Sequence, residues 1–123
     1  MKKLKKETVE EIIIPILNNE YKVIVCFGSP KEIKKVLRKW GHHPADIVLD
    51  VEGRRGICYH TKNCHPVIAM PSFPKNAKEI GTLAHEAIHA IGYIFRMIEQ
   101  DSAEEVYAHS VSAIIRTVLE GLK

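Results

Sequence analysis

The chain has 123 residues, the size of one domain with a core that needs no disulfide staples. Its net charge of +3 is mild and owes much to Lys2, Lys3, Lys5 and Lys6, while the other basic residues are mixed with acids, so no nucleic-acid partner is expected. No apolar run approaches the roughly twenty residues of a membrane span, Glu7, Glu10 and Glu11 interrupt any leader-like segment, and three cysteines make no secreted framework, so a cytoplasmic protein with reduced thiols and no membrane partner is expected.

Residues 8–17 carry Val9, Ile12, Ile13, Ile16 and Leu17 at helical spacing and predict a first helix, kinked or shortened by Pro15. Residues 21–27 are β-rich and predict a strand. Gly28 then opens a turn, with Ser29 as N-cap, Pro30 at the first helical position and Glu32 completing a capping box. The helix so begun runs to about Trp40 and stops at Gly41. Three β-prone stretches follow at 46–51, 56–60 and 66–70, separated by turn chemistry, and predict an antiparallel meander. A long helix is expected over 77–98 and a last one over 102–122. Nothing repeats and no linker divides the chain, so residues 1–123 read as a single α+β domain.

The chemistry-bearing motif is His85-Glu86-Ala87-Ile88-His89. Residues four apart on a helix project from one face, so two imidazoles can reach one tetrahedral ion, usually zinc. Glu86 adjoins the first ligand without needing to bind metal, and can take the proton of a water activated by the ion. Leu83, Ala84, Ala87, Ile88, Ala90 and Ile91 surround the motif and predict a buried core helix, in which bound metal would compensate the desolvation of three polar side chains.

A catalytic zinc needs a third protein ligand and an open position. Gly92 stands where a downstream His-x-x-Gly-x-x-His pattern has its glycine, but Phe95 replaces the histidine and closes that route. The last helix offers Glu104 and Glu105. Glu104 falls on the apolar stripe of Tyr107, Val111, Ile114, Val118 and Leu122, whereas Glu105 shares a face with Ala108 and Ser112, small enough for close approach to the histidine helix. The residues alone leave both open.

From Leu83 onward the chain resembles zincins of the gluzincin type, in which His-Glu-x-x-His is followed by a glutamate on the next helix, often as Glu-x-x-Ala-Asp or Glu-x-x-Ala-Asn. Glu105-Val106-Tyr107-Ala108 matches, with His109 as the departure. Thr82 to Ala90 and Glu104 to His109 also resemble segments of small phage-encoded zinc metallopeptidases, and more distantly the ImmA/IrrE-type peptidases. The likeness is specific over about forty residues. It implies a minimal zincin-like fold, a small twisted sheet against two motif helices with an edge strand near the cleft, and favours Glu105 as the third ligand beside His85 and His89. His109 becomes a transition-state donor or spare ligand.

Cys58, His60, Cys64 and His65 fall within eight residues, and a β-turn with buried cysteines is expected there rather than a second zinc site; His60 is a candidate cleft residue. His42 and His43 are expected on a surface loop, Tyr93 and Tyr107 in the core or behind the ligands. The leading expectation is a zinc-dependent hydrolase acting on a peptide or protein, with one Zn2+ per chain and Glu86 as the catalytic base. Its rivals are a non-enzymatic binding module held together by zinc and a metal-free helical interaction protein.

Overall fold

The computed structural model describes residues 10–17, 20–43, 56–61, 64–97 and 104–121. In chain order these form β1 (Glu10–Ile16), β2 (Tyr21–Phe27), α1 (Pro30–Lys39), β3 (Ile57–Tyr59), β4 (Val67–Met70), α2 (Ala77–Met97) and α3 (Glu104–Gly121). The sheet order is β1-β2-β4-β3, with β2 and β4 parallel and the outer pairings antiparallel.

The sheet is covered on both faces. Val23, Val25, Phe27, Ile68 and Met70 pack with Leu83, Ala87, Ile91 and Ile94 of α2 and with Ile114 and Val118 of α3. Ile24, Cys26, Val67 and Ala69 pack on the other face with Ile33, Val36 and Leu37 of α1. Strands buried on both faces read as continuous apolar runs, which is why β2 and β4 show no polar alternation.

The helix expected over 8–17 is instead a strand across the described part of that stretch. Ile14 and Ile16 are 1% and 3% exposed whereas Ile13 is 44% exposed, a period of two. β-branched isoleucines favour this conformation, and among the described residues β1 is an edge strand, where Pro15 opposite Lys22 is tolerated. Leu17, at φ 56°, takes the left-handed conformation in the tight connection to β2, where Glu20 N–H donates to Leu17 O at 3.2 Å.

The capping box on α1 forms as expected: Glu32 N–H donates to Ser29 Oγ, and Ser29 N–H to Glu32 Oε1. Gly41 ends the helix at φ +90°, and a Cβ there would also meet Cys64 Sγ at 3.1 Å. The described part of the meander forms as expected. β3 and β4 pair antiparallel, but β4 is inserted between β3 and β2 as a parallel neighbour, making the sheet mixed. The strand expected at 46–51 lies outside the described residues. The long helix ends at Met97, and the last one spans Glu104–Gly121.

The strand assignment of β1 makes a direct prediction. Ile14→Ala should cost about 2–5 kcal/mol in urea unfolding, and Ile13→Ala about 0.5 kcal/mol or less. Comparable losses at both positions would contradict the two-residue period.

Candidate metal centre

Helix α2 begins at a reciprocal cap: Glu79 N–H donates to Asn76 Oδ1 at 2.8 Å, and Lys75 N–H to Glu79 Oε1 at 2.8 Å. Three sectors of its surface are covered. Leu83, Ala87, Ala90, Ile91 and Ile94 lie on the sheet. On one flank the Tyr107 hydroxyl of α3 donates to Ile88 O at 2.8 Å, and the Tyr107 ring meets Phe95 edge-on at 5.4 Å. On the opposite flank the Tyr93 hydroxyl donates to Thr61 O at 2.6 Å, and the Tyr93 ring stacks on His60 at 4.7 Å. His85 and His89 stand between the two flanks and are exposed.

Their Nε2 atoms are 3.2 Å apart, with the rings edge to face at 4.7 Å. At this distance one neutral imidazole can donate to the other. It is also the spacing a metal requires, because two nitrogens at about 2.0–2.1 Å from a tetrahedral zinc lie roughly 3.3 Å from each other. The pair therefore fits as two adjacent ligands. No group of three or more His, Cys, Asp or Glu side chains converges on one point among the described residues. The side chains of Glu104 and Glu105 lie outside them, although both residues belong to the first turn of α3.

Two expectations about this helix need correction. The histidines are not buried in the core, so their desolvation needs no compensation; what the site offers an ion is the convergence of their nitrogens. Leu83, Ala87, Ala90 and Ile91 cover the sheet face, whereas Ile88, expected in the core, is 49% exposed, and the histidine sector is left open. Ala108 and Ser112 are exposed and do not mediate close approach to α2. Gly92 serves that purpose from the other helix, since a Cβ there would lie 3.0 Å from the Tyr107 hydroxyl.

Glu86 is half-buried on the flank facing β3. Burial first, and then the nearby charge of Glu86, push the Cys58 thiol up to about 12, so this cysteine is a neutral, inert neighbour. Burial similarly raises Cys26 to about 12. Cys58 and Cys64 are half-buried, the described cysteines are free, and Cys64 N–H closes a turn on Thr61 O at 2.9 Å. His65 is engaged elsewhere, accepting from Lys22 N–H through Nδ1 at 3.3 Å.

His60 is exposed beside the histidine pair; its pKa is lowered by burial first, then by Arg96, His89 and His42. His42, expected on the surface, is 2% exposed. Its Nε2 faces His65 O at 2.9 Å and must carry the proton, so Nδ1 accepts from the Thr61 hydroxyl, also at 2.9 Å. His42 thus ties down Thr61, whose carbonyl holds Tyr93, whose ring supports His60. Sequence spacing gave no sign of this long-range chain. A local signal beyond the motif is Arg96, which follows His85, His89 and Gly92 on the same helical stripe.

Two predictions follow from these contacts. Burial lowers the His42 pKa below its ordinary 6.5. Above 6.5 the ring is neutral in both folded and unfolded chains; below it the unfolded chain binds a proton that the folded ring resists. Unfolding free energy should therefore fall between about pH 7 and 5, with a shallower slope in His42→Gln. His60 and His65, lowered in the same direction, retain the remainder of that slope.

Alanine at position 92 gains about 1 kcal/mol of helix propensity over glycine, but its Cβ would press on the Tyr107 oxygen. Gly92→Ala should stabilise by up to about 1 kcal/mol in a Tyr107→Phe background, and by clearly less in the wild type. Additive free energies in this double-mutant cycle would count against the contact.

No protein family, curated protein or solved structure matches this chain.

Proposed function

We propose that the chain is a zinc-dependent peptidase in which His85, His89 and Glu105 hold one zinc ion and Glu86 handles the proton of hydrolysis. The observation that carries this reading is the convergence of two exposed imidazole nitrogens at 3.2 Å on the helix that also bears Glu86. When bound, zinc would acidify water and polarise a carbonyl.

The remaining work falls to the chain. Glu86 accepts a proton from the attacking water and returns it to the leaving amine as the C–N bond breaks. Its half-buried flank, against Cys58 and the sheet, limits competing solvation of the carboxylate. The exposed setting of the histidine pair leaves room for substrate, whereas a purely structural site closes its coordination sphere with protein ligands. Among the described residues β3 is the sheet's outer strand on the side that leads into His60, a position suited to pairing with an extended peptide. A zincin-like assignment of this α+β fold belongs to the same proposal.

Elemental mass spectrometry on untagged protein should find about one zinc per chain. Zinc should be lost in His89→Ala and in Glu105→Ala and retained in Glu104→Ala. Glu86→Gln should keep its zinc and lose about 10²–10⁴-fold in cleavage of a proteome-derived peptide library followed by mass spectrometry. Absence of zinc after reconstitution at neutral pH, or undiminished cleavage by Glu86→Gln, would sink the proposal. Loss of zinc only in Glu104→Ala would move the third ligand by one residue.

A further inference from the structure

Positions 85, 89, 92 and 96 lie along one stripe of α2, so Arg96 continues the line of the histidine pair by two helical turns. Arg96 is exposed, but its side chain does not simply extend into solvent. One guanidinium nitrogen, Nη1, lies 3.6 Å from the point a Cβ on Gly92 would occupy, so the group folds back along the helix toward His89. The Tyr107 hydroxyl is 3.0 Å from that same point. His60 stands on the other flank, close enough for Arg96 and His89 to disfavour its protonation. Among the described residues no carboxylate forms an ion pair with Arg96; the ion pair present is Lys39–Glu11, on the far side of the sheet.

We infer that Arg96 binds a carboxylate of the substrate beyond His89, on the exposed stripe that the histidine pair begins. Gly92 lies three residues beyond His89, roughly 5 Å along the helix at about 1.5 Å per residue. A guanidinium held over that glycine stands about one to two peptide residues from a carbonyl placed at the histidine pair. Its planar fork matches a carboxylate through two parallel hydrogen bonds, which a surface lysine could not reproduce. The carboxylate belongs either to the C-terminus of a peptide or to an Asp or Glu side chain just beyond the bond attacked. The inference rests on the peptidase reading for the identity of the substrate, but the binding step is measurable without catalysis.

The test uses the full chain, as purified and after chelation, with N-acetyl-Leu-Ala bearing a free carboxylate, its C-terminal amide, and amidated N-acetyl-Leu-Glu. Binding is followed by 15N–1H NMR, including the arginine Nε–Hε signals, and zinc is measured on the same samples. The free acid should shift the Arg96 signal and bind about tenfold more weakly to Arg96→Gln, with Arg96→Lys recovering only part of the loss. Dispersed spectra of both variants would show that they remain folded. Binding of the free acid alone assigns the terminal carboxylate, and equal binding of the Glu amide extends the site to acidic side chains. Equal affinity for all three peptides, or no effect of Arg96→Gln, overturns the inference. Arg96-dependent binding in protein that takes up no zinc would uphold this site while removing the peptidase reading.

Discussion

The contact between α2 and the sheet determines where the three polar residues of the motif stand. Leu83, Ala87, Ala90, Ile91 and Ile94 of this helix are completely buried. Alanines at 87 and 90 keep the helix close to the strands, and the larger residues fix its rotation about its own axis. Once that rotation is set, a turn of about 100° per residue assigns the remaining positions. His85 and His89 come to the open sector, Glu86 to the flank of β3, and Ile88, Gly92 and Phe95 to the flank of α3. A change in this packing would move all three motif residues together, because none of them is positioned by a loop.

Each flank carries a specific hydrogen bond between a tyrosine and a backbone carbonyl. Tyr107 reaches Ile88 O and Tyr93 reaches Thr61 O. Carbonyls within a helix already accept from the i+4 amide, so the Tyr107 bond uses the second lone pair of Ile88 O and leaves the helical ladder intact. Gly92 makes room for the hydroxyl that would otherwise meet a methyl group. On the other flank His42 secures Thr61 from beneath, accepting from its hydroxyl while donating to His65 O. The segment around His60 is therefore braced from α1's end and from α2 at once.

Legibility in the sequence followed the range of the interactions. The capping box of Ser29 and Glu32, the stop at Gly41 and the extent of α2 are local, and they read correctly. The segment of β1 is ambiguous by pattern, because Val9, Ile12, Ile13 and Ile16 fit a helical stripe while Ile12, Ile14 and Ile16 fit a strand equally well. Tertiary pairing with β2 chose between them. The insertion of β4 beside β2 depends on a crossover that no short pattern encodes. The histidine pair was legible as geometry, but its burial was not: an apolar stripe says which face meets the core, and His85 and His89 lie off that stripe. The burial of His42 is invisible for the converse reason, since its partners, Thr61 and His65, are distant in the chain.

The exposure of the histidine pair also changes what the site can be. A structural zinc gains most where burial keeps water out and four protein ligands close the sphere. Here the imidazoles face outward between two braced flanks, and the one carboxylate of the motif is drawn inward beside a neutral thiol. This division suits two different tasks. In the proposed reading, nitrogens presented to solvent would meet both an ion and a substrate, while the carboxylate beside the sheet would handle the proton. Arg96, on the exposed side of the same helix, extends the outward-facing line with a fixed positive charge. One amphipathic helix thereby separates the groups that would bind from the group that would transfer a proton, by the angle of about 100° between consecutive residues.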